Sequence, residues 1–108
     1  MKPKKWSKEE NAAIVAAYLG MLALHNKGTP YSKAKVRREL IAGPLAARSE
    51  GSVEFKMMNI SGCLRALGKL HIPGYQPAMN YQSDLMTEVC KQTGAMLNPG
   101  QQPQARAA

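Results

Sequence analysis

The stretch Arg48–Gly68, RSEGSVEFKMMNISGCLRALG, decides the fold. Val53, Met57, Ile60, Leu64 and Leu67 recur at intervals of four, three, four and three. That spacing draws one apolar stripe along a helix. Ser52 is the predicted N-cap and Gly68 the predicted stop. The flanks and back carry Lys56, Asn59, Ser61 and Arg65, but Phe55, Met58, Gly62 and Ala66 leave the back only half polar. Small residues on that side permit another backbone to come close, from the chain's own first helix, a partner subunit or DNA. If the helix is sandwiched in this way, Asn59 is a buried structural group and not a reader of a ligand.

Upstream, PYSKAKVRREL predicts a second, strongly basic helix capped by Ser32. Tyr31 and Val36 fit a hydrophobic staple. Val36, Leu40 and Ile41 point inward, which leaves Lys33, Lys35, Arg37 and Arg38 on the remaining surface. Gly43-Pro44 ends the helix, because proline disfavours helix just before it and donates no backbone hydrogen bond. Leu45–Gly51 is a loop or a single turn. Nearer the start, Ser7 and Glu10 have capping-box spacing. Ile14, Val15, Tyr18, Leu19 and Leu22 continue a helix that should end near His25, with Asn26-Lys27-Gly28 as its left-handed stop.

Downstream, KLHIPGYQP alternates Leu70 and Ile72 around His71, which admits a short extended segment near residues 70–72 before a Pro-Gly turn. Asn80 is placed to cap a fourth helix carrying Tyr81, Leu85, Met86 and Val89, with Gly94 as its stop. The tail LNPGQQPQARAA is low-complexity and predicts disorder. The expected architecture is one all-α, helix-turn-helix-like domain of four main helices over residues 6–94. A basic arm (1–5) precedes it and the tail (95–108) follows.

Within 108 residues, 44% of them apolar, there is material for one modest core. Aromatics are only 6%, so that core is aliphatic and rich in methionine. The net charge is +8. Residues 1–49 hold ten basic and three acidic side chains, whereas residues 50–108 hold five and four. A basic half suits a polyanion, either nucleic acid or an anionic membrane surface; its plain alternative is a solubilising surface. Membrane binding is the weaker partner, since no helix pairs a bulky apolar face with a basic one at an exposed end. No signal-peptide pattern opens the chain, and no run reaches the roughly eighteen apolar residues of a membrane span. The expected compartment is the cytoplasm, with Cys63 and Cys90 reduced.

Catalytic patterns are lacking. His25, Cys63, His71 and Cys90 are scattered, without the close ligand pairs of structural zinc sites, so neither metal nor cofactor is expected. Nucleic-acid binding has three supports. Lys33, Lys35, Arg37 and Arg38 suit phosphates, and each such contact adds salt-dependent affinity. Asn59, Ser61 and Arg65 are residue types that read base edges or phosphates, Arg65 being suited to guanine. Lys4 and Lys5 belong to a basic arm of the kind that lies along a groove. Each feature also has a plain reading: a solvated face, or a local hydrogen bond within a helix. Tyr75 and Tyr81 would stack on bases if exposed, or pin their loop to the core if not.

Tyr-Ser-Lys at 31–33, Arg-Ser-Glu-Gly-Ser at 48–52, Asn-Ile-Ser at 59–61, Pro-Gly-Tyr at 73–75 and Asn-Tyr-Gln at 80–82 follow one another in a distinctive order. Over roughly residues 6–92 this order resembles a small helical module of bacterial proteins. That module often precedes an HNH nuclease domain or another domain of restriction-type defence proteins. The resemblance implies a DNA-associated setting, with Arg48, Ser49, Ser52, Lys56, Asn59 and Ser61 at the matching positions. It carries over no catalytic residue, and a free-standing, non-enzymatic module is expected. One departure stands out: Met57-Met58 occupies the place of a polar pair such as His-Gln. The partners expected are double-stranded DNA and, as an alternative, a second copy of the chain or a nuclease.

Overall fold

The computed structural model describes residues 5–94. Lys4, with the rest of the arm before Lys5, and the tail from residue 95 onward lie outside the described residues. The described residues form an all-helical fold of four helices: α1 (Lys8–Asn26), α2 (Lys33–Ile41), α3 (Glu50–Ala66) and α4 (Ser83–Thr93). Helix α3 is the axis of the packing and touches each of the other three, while α1 covers α3 and α4 and meets α2.

The apolar seam lies as its spacing predicts. Val53, Met57, Ile60 and Leu64 are buried on α3, and Leu67 is half-buried just beyond its end. Ile14, Val15, Tyr18 and Met21 of α1 meet them, with Leu85, Met86 and Val89 of α4. Helix α1 begins at a capping box: Ser7 Oγ accepts from the Glu10 amide at 3.0 Å, and the Ser7 amide donates to Glu10 Oε1 at 2.9 Å. Ser32 caps α2 by accepting from the Lys35 amide at 3.1 Å. Gly28 and Gly68, just past the ends of α1 and α3, have φ of 73° and 71°, backbone that favours glycine.

Three local expectations are corrected. Helix α3 is capped one turn earlier, by Ser49, whose Oγ accepts from the Ser52 amide at 3.1 Å. Ser52 is thereby inside the helix, its hydroxyl donating back to the Ser49 carbonyl at 3.0 Å. Asn80 does not cap α4; Gln82 holds that position without a side-chain bond, because Asn80 Oδ1 is occupied by Asn59. Residues 69–72 are neither helix nor strand, and no strand occurs among the described residues. An isolated strand there has no neighbour to pair with, and the Ile72 amide donates instead to Tyr18 Oη at 2.9 Å.

The backbone that approaches the small-residue side of α3 is the chain's own. The Ala78 amide donates to the Met58 carbonyl at 3.0 Å, and a Cβ at Gly62 would collide with the Ala78 carbonyl. Tyr75 pins the same loop. It is buried, with its ring centroid 5.9 Å from that of Tyr18, so it offers no face to a base.

Candidate nucleic-acid interface

A cleft of about 650 Å³ opens beside the start of α3, lined by Lys5, Trp6, Arg48, Ser49, Ser52 and Lys56. Ser49, Ser52 and Lys56 stand three and four residues apart, so they share one face of the helix. Arg48 precedes the cap. Lys5 and Trp6 arrive from the segment that leads into α1, more than forty residues away along the chain.

Arg48 joins the two parts. Its Nη2 lies 2.6 Å from Glu10 Oε1, its Nε donates to Glu10 Oε2 at 2.9 Å, and Nη2 also donates to the Lys5 carbonyl at 3.1 Å. This fork-on-carboxylate geometry is the strong form of a charged hydrogen bond. It holds the Glu10 carboxyl below its ordinary range and leaves the Arg48 side chain 7% exposed. The same guanidinium lies 4.7 Å from the centroid of Trp6, and the Lys56 ammonium 4.9 Å from it. Trp6 therefore carries two cations.

Lys56 is 9% exposed. Arg48 has its carboxylate and Glu88 its bond from Gln92, but no acceptor among the described residues bonds the Lys56 ammonium. Burial first, and then the neighbouring Arg48 charge, hold its pKa below the ordinary lysine value. The aromatic face compensates only part of that loss of solvent.

The other expected binding residues do not join this cleft. Lys33 is turned inward: its Nζ donates to the Gly74 carbonyl at 2.9 Å, sits 4.2 Å from the Tyr75 centroid and 3.9 Å from Glu54 Oε2. Arg37 reaches Glu54 at 3.6 Å and Glu50 at 4.0 Å. The expected open basic face of α2 is thus reduced to Lys35 and Arg38, which are exposed. Arg65 is exposed near the far end of α3, about 20 Å along the axis from Ser52 at 1.5 Å per residue. Lys5 is exposed and 3.4 Å from Asp84 Oδ2.

Asn59 and Ser61 are corrected outright as surface readers. Asn59 is 3% exposed, its Nδ2 donating to the Ala78 carbonyl at 3.0 Å and to Asn80 Oδ1 at 3.2 Å. Ser61 is fully enclosed, with Oγ 2.7 Å from Tyr18 Oη. Each satisfies a neighbour inside the fold, as buried polar groups must. Sequence reasoning missed Trp6 and Glu10 as parts of the site. Glu10 was readable only as a capping residue, and a single tryptophan beside a basic arm has no motif of its own.

Among the described residues, no helix is long and apolar enough to cross a membrane. No group of three or more His, Cys, Asp or Glu among them is placed to hold a metal ion. Comparison with known protein families, characterised proteins and solved structures finds no match to this chain.

Proposed function

We propose that this domain is a non-enzymatic DNA-binding module of the cytoplasm that grips duplex DNA through the cleft at the start of α3. The observation that carries the reading is convergence. Lys5, Arg48, Ser49, Ser52 and Lys56 were each singled out as binding residues in the sequence, and they line one cationic cleft. Lys35 and Arg38 extend the positive surface on α2 and add phosphate contacts with no base preference. The order of motifs resembling the helical module of restriction-type defence proteins supports the same setting, a domain that works with a nuclease or methyltransferase.

A mobility-shift titration of a duplex at two salt concentrations tests the proposal. Each phosphate neutralised steepens the fall of affinity with salt, by a slope of about 0.9 per contact. The expected slope corresponds to a few contacts, reduced when Lys35 and Arg38 are both replaced by alanine. Absence of any complex at low salt removes the reading.

A protein-interaction module is the second reading, as a homodimer or an adaptor for a nuclease. It is favoured by Phe55 and Met79, which are 44% and 51% exposed near the place where the loop crosses α3, and by the adaptability of methionine surfaces. Sedimentation separates the two: a monomer that binds DNA supports the first, and a dimer indifferent to DNA the second.

A further inference from the structure

Lys56 is the one buried lysine among the described residues. Its stem is buried and its ammonium opens into the cleft, with no carboxylate of the described residues bonded to it; the neighbouring carboxylate, Glu10, is engaged by Arg48. The group that faces Lys56 is instead a cleft whose other charged walls are Lys5 and Arg48, both cationic. The cleft's contour adds two features that suit an anion. One is the amino end of α3, a helix of 17 residues, whose first turn carries a partial positive charge and free backbone donors. The other is the Ser49 hydroxyl, whose oxygen accepts from the Ser52 amide and whose proton is left for a ligand. The Lys5–Asp84 pair at the rim is exposed on both sides, so water screens it and Lys5 exchanges partners at little cost.

We infer that the cleft is a seat for a single phosphate group, bound by the ammonium groups of Lys56 and Lys5 at the amino end of α3, with Arg48 as the fixed cationic wall. The cleft is open to solvent and, at about 650 Å³, has ample room for a phosphate group and the chain it belongs to. The seat deepens the DNA-binding proposal by naming what the cleft holds, and it rests on that reading only for the source of the phosphate. That source is either a backbone phosphodiester or a terminal monoester, since both present anionic non-bridging oxygens to the two ammonium groups. A phosphate supplies the counter-charge that Lys56 lacks, and it leaves the Arg48–Glu10 pair intact.

The molecule carries its own reporter. Trp6 is the only tryptophan of the chain, and both cations on its ring belong to the site. Emission from Trp6 is followed while inorganic phosphate replaces chloride at constant ionic strength. A saturable change is expected. It should weaken at least about tenfold in Lys56→Met, and to a smaller extent in Lys5→Met, a substitution at an exposed position that leaves the fold untouched. Circular dichroism of both variants checks that they are folded. A duplex with 5′-phosphates is then compared with one ending in 5′-hydroxyls: equal responses assign the backbone as the source, and a tighter response to the phosphorylated ends assigns the monoester. A flat Trp6 signal with inorganic phosphate, or an undiminished one in folded Lys56→Met, overturns the phosphate seat even if DNA is still shifted. A phosphate response without any DNA complex keeps the seat and removes the DNA reading.

Discussion

Tyr18 Oη and Ser61 Oγ lie 2.7 Å apart in the core, joining α1 to α3 across 43 residues of sequence. Tyr18 Oη also accepts from the Ile72 amide at 2.9 Å, and either hydroxyl of the Tyr18–Ser61 pair can supply the shared proton. One hydroxyl pair thus fixes the spacing of two helices and the path of the segment that follows α3. Tyr18→Phe leaves the Ile72 amide and the Ser61 hydroxyl without partners in a closed interior. The expected cost is about 2 kcal/mol, or a fall of roughly 8–16 °C in Tm for a domain of this size, measured by thermal unfolding. In a double-mutant cycle, Ser61→Ala on the Tyr18→Phe background should cost less than Ser61→Ala alone.

Glu10 and Arg48 set the acid limit of the fold. The Arg48 hydrogen bond, chiefly, holds the Glu10 carboxyl below its ordinary 4.5. A carboxyl with a depressed folded pKa binds fewer protons folded than unfolded. Its stabilisation is therefore complete above about 4.5 and is lost as pH falls through the folded value. Glu10→Gln should lower stability by about 2 kcal/mol at pH 7. Denaturant unfolding at several pH values should show the difference from wild type shrinking below pH 4.5.

Lys56 works in the opposite sense. Its ammonium is held below the ordinary 10.5, so the folded state sheds the proton first. Wild-type stability gains a rising contribution as pH climbs between the folded value and 10.5. Lys56→Met removes that contribution and, by deleting a buried charge, leaves stability at pH 7 equal or higher. Chemical denaturation of both proteins between pH 7 and 10.5 checks the slope; an identical slope in the two would contradict the burial of this ammonium.

Gly62→Ala tests the crossing of loop and helix. The added Cβ meets the Ala78 carbonyl, which is held in place by the Ala78 amide's bond to the Met58 carbonyl and by the bond it accepts from Asn59 Nδ2. Helix propensity favours alanine by about 1 kcal/mol, and the clash outweighs it. A net loss of about 1–3 kcal/mol is expected, together with faster hydrogen exchange of the Ala78 amide.

Cys63 should be silent to alkylating reagents until the protein unfolds. It is fully buried, and burial pushes its thiol up to about 12, so almost no thiolate exists at pH 8. Cys90 is half-buried and raised to a lesser extent. Mass spectrometry after brief treatment of the native protein should find any label at Cys90.

Local signals were legible because local physics produces them. The 4-3-4-3 seam of α3, the Ser7 capping box and the stop at Gly28 depend on residues within a turn of each other, and each stands where its spacing places it. Ser49 and Ser52 are both good caps in isolation. The choice between them is made at long range, since helix onset at Glu50 accompanies the placement of Arg48 against Glu10. Asn80 lost its cap role for a similar reason, being taken by a side chain from 21 residues upstream. The basic face of α2 looked open in sequence because the acids that reach Lys33 and Arg37 lie on another helix. Glu10, Arg48, Trp6 and Lys56 share no sequence neighbourhood, so their cluster exists only in the folded chain.

The clamp between Glu10 and Arg48 also constrains how this protein can vary through descent. A change at either position alone removes the fork between α1 and the start of α3 and loosens the wall that holds Trp6. Lineages can leave the pair only by replacing both residues, or by passing through a form with a weakened fold. Positions 10 and 48 are expected to be inherited as a unit, whereas positions such as 35 and 38, with nothing behind them to satisfy, are free to drift with the charge of whatever surface they meet.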